Sequence, residues 1–336
     1  MTLLTVDPTS PDDAALGRAT EVLRGGGLVA FPTETVYGLG AHAMNPEAVE
    51  RIYEAKGRPA WNPLIVHVAN ADAARAVTRE WPREAELLAA RFWPGPLTLV
   101  LPRDPSVPDI VTAALDSVGV RVPSHPVALA LLRACGLPLA APSANRSNEL
   151  SPTTAGHVIK SLGGAVELVL DGGPTSVGIE STVLDLRDPS HPVVLRPGAV
   201  SAAEIADLLG VPVIRAGDMS GDAAHPSPGM SERHYSPRAA LWLVDDDGIA
   251  ALVRRDPEVR SEALLVMQST ISQGLMGAFG RVETMPDSPE GYARVLYAKL
   301  HSLDDAGVTD IYVQQLPEGA EWDGVRDRLA RAARTG

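Results

Sequence analysis

A polar, hydroxyl-bearing segment set between two short apolar strands constrains this chain more than any other stretch. Leu28-Val29-Ala30-Phe31 reads as a strand that stops at Pro32, and Thr33-Glu34-Thr35-Val36-Tyr37-Gly38 is too polar to extend it into a core. Asn45 followed by Pro46 then starts a helix, with a capping side chain ahead of proline at the first helical position. That helix carries Val49, Ile52 and Tyr53 on one stripe and ends at Lys56-Gly57-Arg58-Pro59, before a second strand from Leu64 to Val68.

Within this stretch Lys56-x-Arg58 points to chemistry. Pro59 disfavours a helical conformation at Arg58, and in an extended segment residues two apart face the same way. Two cations on one side, beside a glycine that lets backbone approach, suit a polyphosphate. A basic helix end offsetting the macrodipole accounts for the spacing equally well. The chain has only three lysines (Lys56, Lys160 and Lys299) among 29 Lys and Arg, so a lysine here is consistent with a role that arginine does not fill.

Composition limits the function classes. The 336 residues allow one large domain or two ordinary ones. A hydrophobic content of 45% with only 4% aromatics predicts a core of Ala, Val and Leu. A net charge of −13 argues against tight binding to a nucleic-acid backbone while leaving room for a local basic pocket. Cys135 is the single cysteine, which excludes an intrachain disulfide. The chain opens without a charged-then-apolar leader, and no apolar run approaches the roughly 20 residues that cross a bilayer, so a cytoplasmic protein without membrane association is expected.

Read in order, Asp12-Asp13 starts a helix that runs to Arg24 and ends on Gly25-Gly26-Gly27; these glycines precede a strand and lack dinucleotide-loop spacing. Helices are expected from Ala71 to Val77 and from Arg83 to Phe92, and a strand from Leu97 to Leu101. In the strand Val118 to Pro123, Arg121 faces away from Val120 and Val122 and needs an anionic partner or water. A structural salt bridge is the commoner partner and a ligand carboxylate the sharper one. The strand from Leu137 to Ala141 ends at Pro142-Ser143-Ala144-Asn145, the kind of strand-end loop where α/β sheets bind ligands, although Ser143 and Asn145 also suit a plain turn. Ser201 to Glu204 is a capping box. Strands outnumber what regular βαβ units would give, so a mixed, curved sheet with helices is expected.

Residues 213–238 read as a linker rich in Gly, Pro and Ser that carries His225, Met230, Arg233, His234 and Tyr235, costly choices for a passive spacer. Beyond it lies a second α/β unit. The expected organisation is a catalytic domain over residues 1–212, a linker that acts as a lid over 213–238, and a C-terminal domain over 239–336.

Several segments in fixed order then resemble a known family: PTETVYGLG, KGRP with NPLIVHV, WPGPLTLVL, GVRVP, APSAN, GIESTV, LRPG and SPGMSERHYSP. Together they are similar to the threonylcarbamoyl-AMP synthases of the long form, in which a YrdC-like domain precedes a smaller, Rossmann-like C-terminal domain. The resemblance implies a YrdC-like α/β fold with a ligand cleft, and a reaction joining L-threonine, bicarbonate or CO2, and ATP into threonylcarbamoyl-AMP and pyrophosphate. The product would pass to the machinery that threonylcarbamoylates tRNA, without strong nucleic-acid binding by this chain. The resemblance places Lys56 and Arg58 on the triphosphate and Asn62, Ala141, Ser143 and Asn145 beside the nucleotide. Ser117, Ser151, Arg196 and Tyr235 complete the ATP site. Thr35, His67, Arg121 and Ser181 form the threonine site, with Arg121 on the carboxylate. Mg2+ would arrive with ATP, with no dedicated metal site. Ser231-Glu232 stands where the family usually has a basic or aromatic pair, and Ser117 where it has threonine.

Two competing readings find less support in the sequence. An RNA-binding maturation factor is disfavoured by the net charge of −13. A carbamoyltransferase handling carbamoyl phosphate would be expected to carry a zinc-finger or acylphosphatase-like segment ahead of the domain.

Overall fold

A computed structural model describes residues 1–218, 235–254, 262–270 and 278–334. The linker residues His225, Met230, Arg233 and His234, and Ser231-Glu232 beside them, lie outside the described residues. The chain divides into two compact units, one of residues 1–147 and 151–230, the other of residues 148–150 and 231–336.

In the first unit the order is β1 (Thr2–Thr5), α1 (Asp13–Arg24), β2 (Val29–Phe31), β3 (Gly38–His42), α2 (Pro46–Lys56), β4 (Ile65–His67), α3 (Ala71–Arg75) and α4 (Arg83–Phe92). It continues with β5 (Leu97–Pro102), α5 (Asp109–Thr112), β6 (Ser117–Arg121), α6 (Pro126–Cys135), β7 (Leu139–Ala140), α7 (Ala155–Leu162), β8 (Leu168–Asp171), β9 (Thr182–Asp185), β10 (Val193–Arg196), α8 (Ala202–Leu209) and β11 (Ile214–Arg215). The strands join in one sheet, in the order β1-β8-β2-β3-β7-β4-β6-β5-β9-β10-β11. Parallel and antiparallel neighbours alternate irregularly, as in β4 parallel to β6 but antiparallel to β7, so the sheet is mixed, as the strand-rich pattern predicts.

Both faces of this sheet are covered. On β2, Val29 and Phe31 join a cluster with Leu16, Leu23, Val127 and Leu131 from α1 and α6. Leu28 and Ala30 join the larger cluster that includes Val49 and Ile52 of α2 and Leu88 of α4. The period of two in a strand buried on both sides produces this division.

The local signals act as expected at several ends. Asn45 accepts from the amides of Glu47 and Ala48 with Pro46 at the first position, and Ser201 and Glu204 form the reciprocal capping box. Three strands of this unit, β1, β3 and β11, escaped the sequence reading. β1 is a half-exposed edge strand beside β8, and β3 is glycine-rich and so lacks strand character. Its glycine has a packing reason: a Cβ on Gly40 would lie 2.7 Å from the Phe31 ring.

The second unit has its own parallel sheet of β12 (Ala240–Val244), β13 (Glu262–Met267), β14 (Arg281–Met285) and β15 (Asp310–Gln314), ordered β12-β15-β13-β14. Helices α9 (Asp246–Arg254), α10 (Pro289–Asp305) and α11 (Asp323–Ala332) complete it. Among the described residues no helix is long and apolar enough to cross a membrane.

Candidate active site

The end of α2 places the first functional groups. Gly57 caps the helix at φ +59°, a left-handed conformation that glycine adopts without strain. The segment Lys56-Gly57-Arg58 is therefore not extended, which corrects the geometry from which the two cations were expected to share a face. Lys56 belongs to the last helical turn and is buried. Its Nζ donates to the carbonyl of Ser143 at 2.5 Å and to that of Asn145. The amide of Ser147 donates in turn to the Lys56 carbonyl at 2.9 Å. Ser143 sits opposite Gly38 of β3, and the Ala141 amide donates to Ile65 of β4, so the 141–147 loop is fixed on the sheet and on α2 together. Arg58 turns toward Asn62, donating to its Oδ1 at 2.6 Å, to its carbonyl and to the carbonyl of Pro63. Lys56 thus meets Ser143 and Asn145, and Arg58 meets Asn62.

The polar insert after β2 supplies the next part. Every residue from Thr33 to Tyr37 is buried. Thr35 Oγ1 lies 2.8 Å from Thr33 Oγ1, whose own hydroxyl donates to the Val36 carbonyl. The Glu34 and Thr35 carbonyls accept from Val177 and Gly178. Glu34 forms a buried ion pair with Arg121 at 2.6 Å, each side chain 4% exposed. Its second carboxylate oxygen accepts from the Ser124 amide. Arg121 Nε donates to the Gly95 carbonyl. With Nε and Nη2 engaged, Arg121 Nη1 has no hydrogen-bond partner among the described residues.

Arg121 stands opposite His67 in the register of β6 and β4. Burial, and next the Arg121 charge, push His67 down to about 3, so the ring is neutral across the physiological range. Its Nδ1 has no hydrogen-bond partner among the described residues. Sequence reasoning missed Glu34. The signal was present, because a strand arginine among valines requires an anion and the insert holds one acidic residue.

A third group lies at the end of β10. Arg196 is buried and donates through Nε and Nη2 to the Ser181 carbonyl, at 3.1 and 3.0 Å, and through Nη2 to Ser181 Oγ at 3.2 Å. Ser181 Oγ is also 2.8 Å from Thr98 Oγ1. Gly198 permits this approach, since a Cβ there would lie 2.4 Å from the Thr182 nitrogen. Ser151 donates to the buried Glu180 carboxylate. Ser117 opens β6 without a side-chain hydrogen bond to the others.

Tyr235 belongs to the second unit. It is 1% exposed at φ +59°, its ring centroid 6.1 Å from that of Tyr297 and 5.2 Å from the Arg328 guanidinium carbon. Burial of Arg328, paired with Asp327, was not foreseen, because nothing in a helical Arg-rich segment marks which arginine turns inward.

Comparison with known proteins gives these groups a setting. A family model described as "Telomere recombination" (Sua5, YciO, YrdC) matches residues 21–198, and one described as "Threonylcarbamoyl-AMP synthase, C-terminal domain" matches residues 200–334. The chain is 44% identical to a threonylcarbamoyl-AMP synthase of Pyrococcus abyssi over 94% of this chain and 93% of that protein. It is 41% identical to one of Bacillus subtilis over 97% and 95%. The crystal structure of P. abyssi Sua5 complexed with L-threonine superposes with a TM-score of 0.89 at 39% identity, covering 100% of both chains. With both domains matched in order and the likeness running the length of the chain, the chain belongs to the threonylcarbamoyl-AMP synthase family.

Proposed function

We propose that the enzyme, a nucleotidyltransferase, makes threonylcarbamoyl-AMP and pyrophosphate from L-threonine, bicarbonate or CO2, and ATP. The observation that carries this reading is the full-length likeness to a relative solved with L-threonine. The buried Arg121, whose Nη1 has no hydrogen-bond partner among the described residues, supports a carboxylate-binding role beside neutral His67. Thr35 and Ser181 supply hydroxyls to the threonine site. Lys56, Arg58, Asn62, Ala141, Ser143, Asn145, Ser117, Ser151 and Arg196, all of the first unit, are assigned to ATP.

The threonine amine, once deprotonated, bonds to the carbon of CO2 and releases a proton, giving a carbamate. A carbamate oxygen then bonds to the α-phosphorus as the bond to the β-phosphate oxygen breaks, and pyrophosphate departs with the electron pair. The protein positions three reactants and offsets charge on the leaving pyrophosphate, where Lys56 and Arg58 act. To do so, Lys56 exchanges a backbone carbonyl for phosphate oxygen, which a flexible ammonium with three donors allows.

Magnesium enters as part of the ATP substrate. The residues assigned to the nucleotide offer it cations, amides and hydroxyls. The product is handed to the tRNA threonylcarbamoyl-transferring machinery in the cytoplasm. An RNA-binding factor is not favoured by a net charge of −13.

The test is direct. Radiolabelled bicarbonate should enter an adenylate, with pyrophosphate released, when L-threonine and ATP are both present and tRNA is absent. Labelling with ATP and bicarbonate alone overturns the threonine assignment.

A further inference from the structure

Glu34 occupies a position the reaction itself does not require. Its carboxylate lies against Arg121 at 2.6 Å, takes the Ser124 amide on its other oxygen, and immediately precedes Thr35 in a loop pinned to Val177 and Gly178. The two histidines beside the pair, His67 and His125, are both shifted downward by burial, which favours their neutral forms. The pair is therefore electrically neutral as a unit and buried on both sides.

That neutrality has a consequence for what can bind. A lone buried arginine would attract any small anion, including pyrophosphate, bicarbonate and hydroxy acids. With Glu34 beside it, a ligand bearing only a carboxylate leaves the site with a net negative charge out of water, which is costly. A zwitterion adds no net charge and brings an ammonium that an adjacent carboxylate favours.

We propose that Glu34 is a specificity-determining residue that, with Arg121, selects the zwitterionic amino acid over anions of the same shape. The inference rests on the reading that Arg121 takes the threonine carboxylate. It deepens that reading by assigning the amine its own discriminating partner.

The experiment compares L-threonine with 3-hydroxybutyrate, which keeps the hydroxyl, methyl and carboxylate but lacks the ammonium. Dissociation constants are measured by calorimetry for the wild type, Glu34→Gln and Glu34→Asp, with thermal melting as the folding control. The wild type should bind L-threonine at least about tenfold more tightly than the hydroxy acid, a gap of about 1.4 kcal/mol. Glu34→Gln keeps an oxygen for the Ser124 amide but removes the charge, and should move that ratio by about tenfold or more toward the hydroxy acid. Glu34→Asp keeps the charge and should preserve the preference while weakening both ligands.

Equal wild-type affinities overturn the proposal whether or not the variants fold. So does a ratio unchanged in Glu34→Gln, since parallel losses would mean that Glu34 only holds Arg121 in place. A ratio in Glu34→Asp that moves as it should in Glu34→Gln overturns it as well. The readout is binding, so a wild type that binds L-threonine selectively but releases no pyrophosphate would sink the functional reading and leave this one standing.

Discussion

His67 and Arg121 face each other across the parallel pairing of β4 and β6, and that neighbour, added to full burial, keeps the imidazole neutral down to about pH 3. In the unfolded chain the same ring takes up a proton as the pH falls through its ordinary value of 6.5. Between these two values the unfolded state binds more protons, so folding stability falls as the solution is acidified and is fully present above the upper one. At about pH 5 His67 alone should cost about 2 kcal/mol relative to neutrality. His67→Gln should remove that part of the acid slope, read from denaturant titrations at the two pH values. An unaltered slope would mean that the ring is protonated in the folded protein.

Lys56→Ala and Arg58→Ala should each raise the ATP requirement by roughly 10- to 100-fold, the equivalent of a charge-assisted contact of about 1.5–3 kcal/mol. Lys56→Ala should also lower stability, because the carbonyls of Ser143 and Asn145 lose their donor. Calorimetry with ATP separates the two effects. Undiminished ATP affinity in both variants would favour the basic helix end as the whole reason for these residues.

Arg121→Leu should raise the threonine requirement far more than the ATP requirement, and it strands Glu34 as a buried, unpaired carboxylate. Losing one partner of a buried pair costs about 3–5 kcal/mol. Adding Glu34→Leu should recover most of the stability without restoring threonine binding. Chemical denaturation and pyrophosphate kinetics on the single and double variants check both halves. Recovery of threonine binding in the double variant would remove Arg121 from the substrate site.

Gly198→Ala places a methyl group 2.4 Å from the Thr182 nitrogen and 2.7 Å from the Glu180 carbonyl oxygen. Those atoms are backbone, so the 180–182 segment itself must move, taking Ser181 away from Arg196. A loss of about 1–3 kcal/mol in stability is expected, together with weaker binding of both substrates. A variant as stable and active as the parent would show that the segment is free to adjust.

Much of the framework is legible in the sequence because it is set by local chemistry. Asn45-Pro46 and Ser201 to Glu204 start helices wherever they occur, since caps act within one turn, and Gly57 ends α2 for the same reason. The ordered motifs identify the family and nominate Lys56, Arg58, His67, Arg121 and Ser181 without any coordinates. The sequence also shows that Arg121 on a valine strand needs an anion, but it does not show which one. Only the tertiary structure decides that the anion is Glu34, 87 residues away, because a long-range ion pair depends on strand order and on the fold of the insert, and neither leaves a local periodicity. The same holds for Gly40, whose lack of a side chain is explained only by the Phe31 ring packed against it, and for Lys56, whose carbonyl partners lie on a loop 87 and 89 residues distant. Helix ends follow from neighbours along the chain, whereas the charge balance of a buried site follows from neighbours in space.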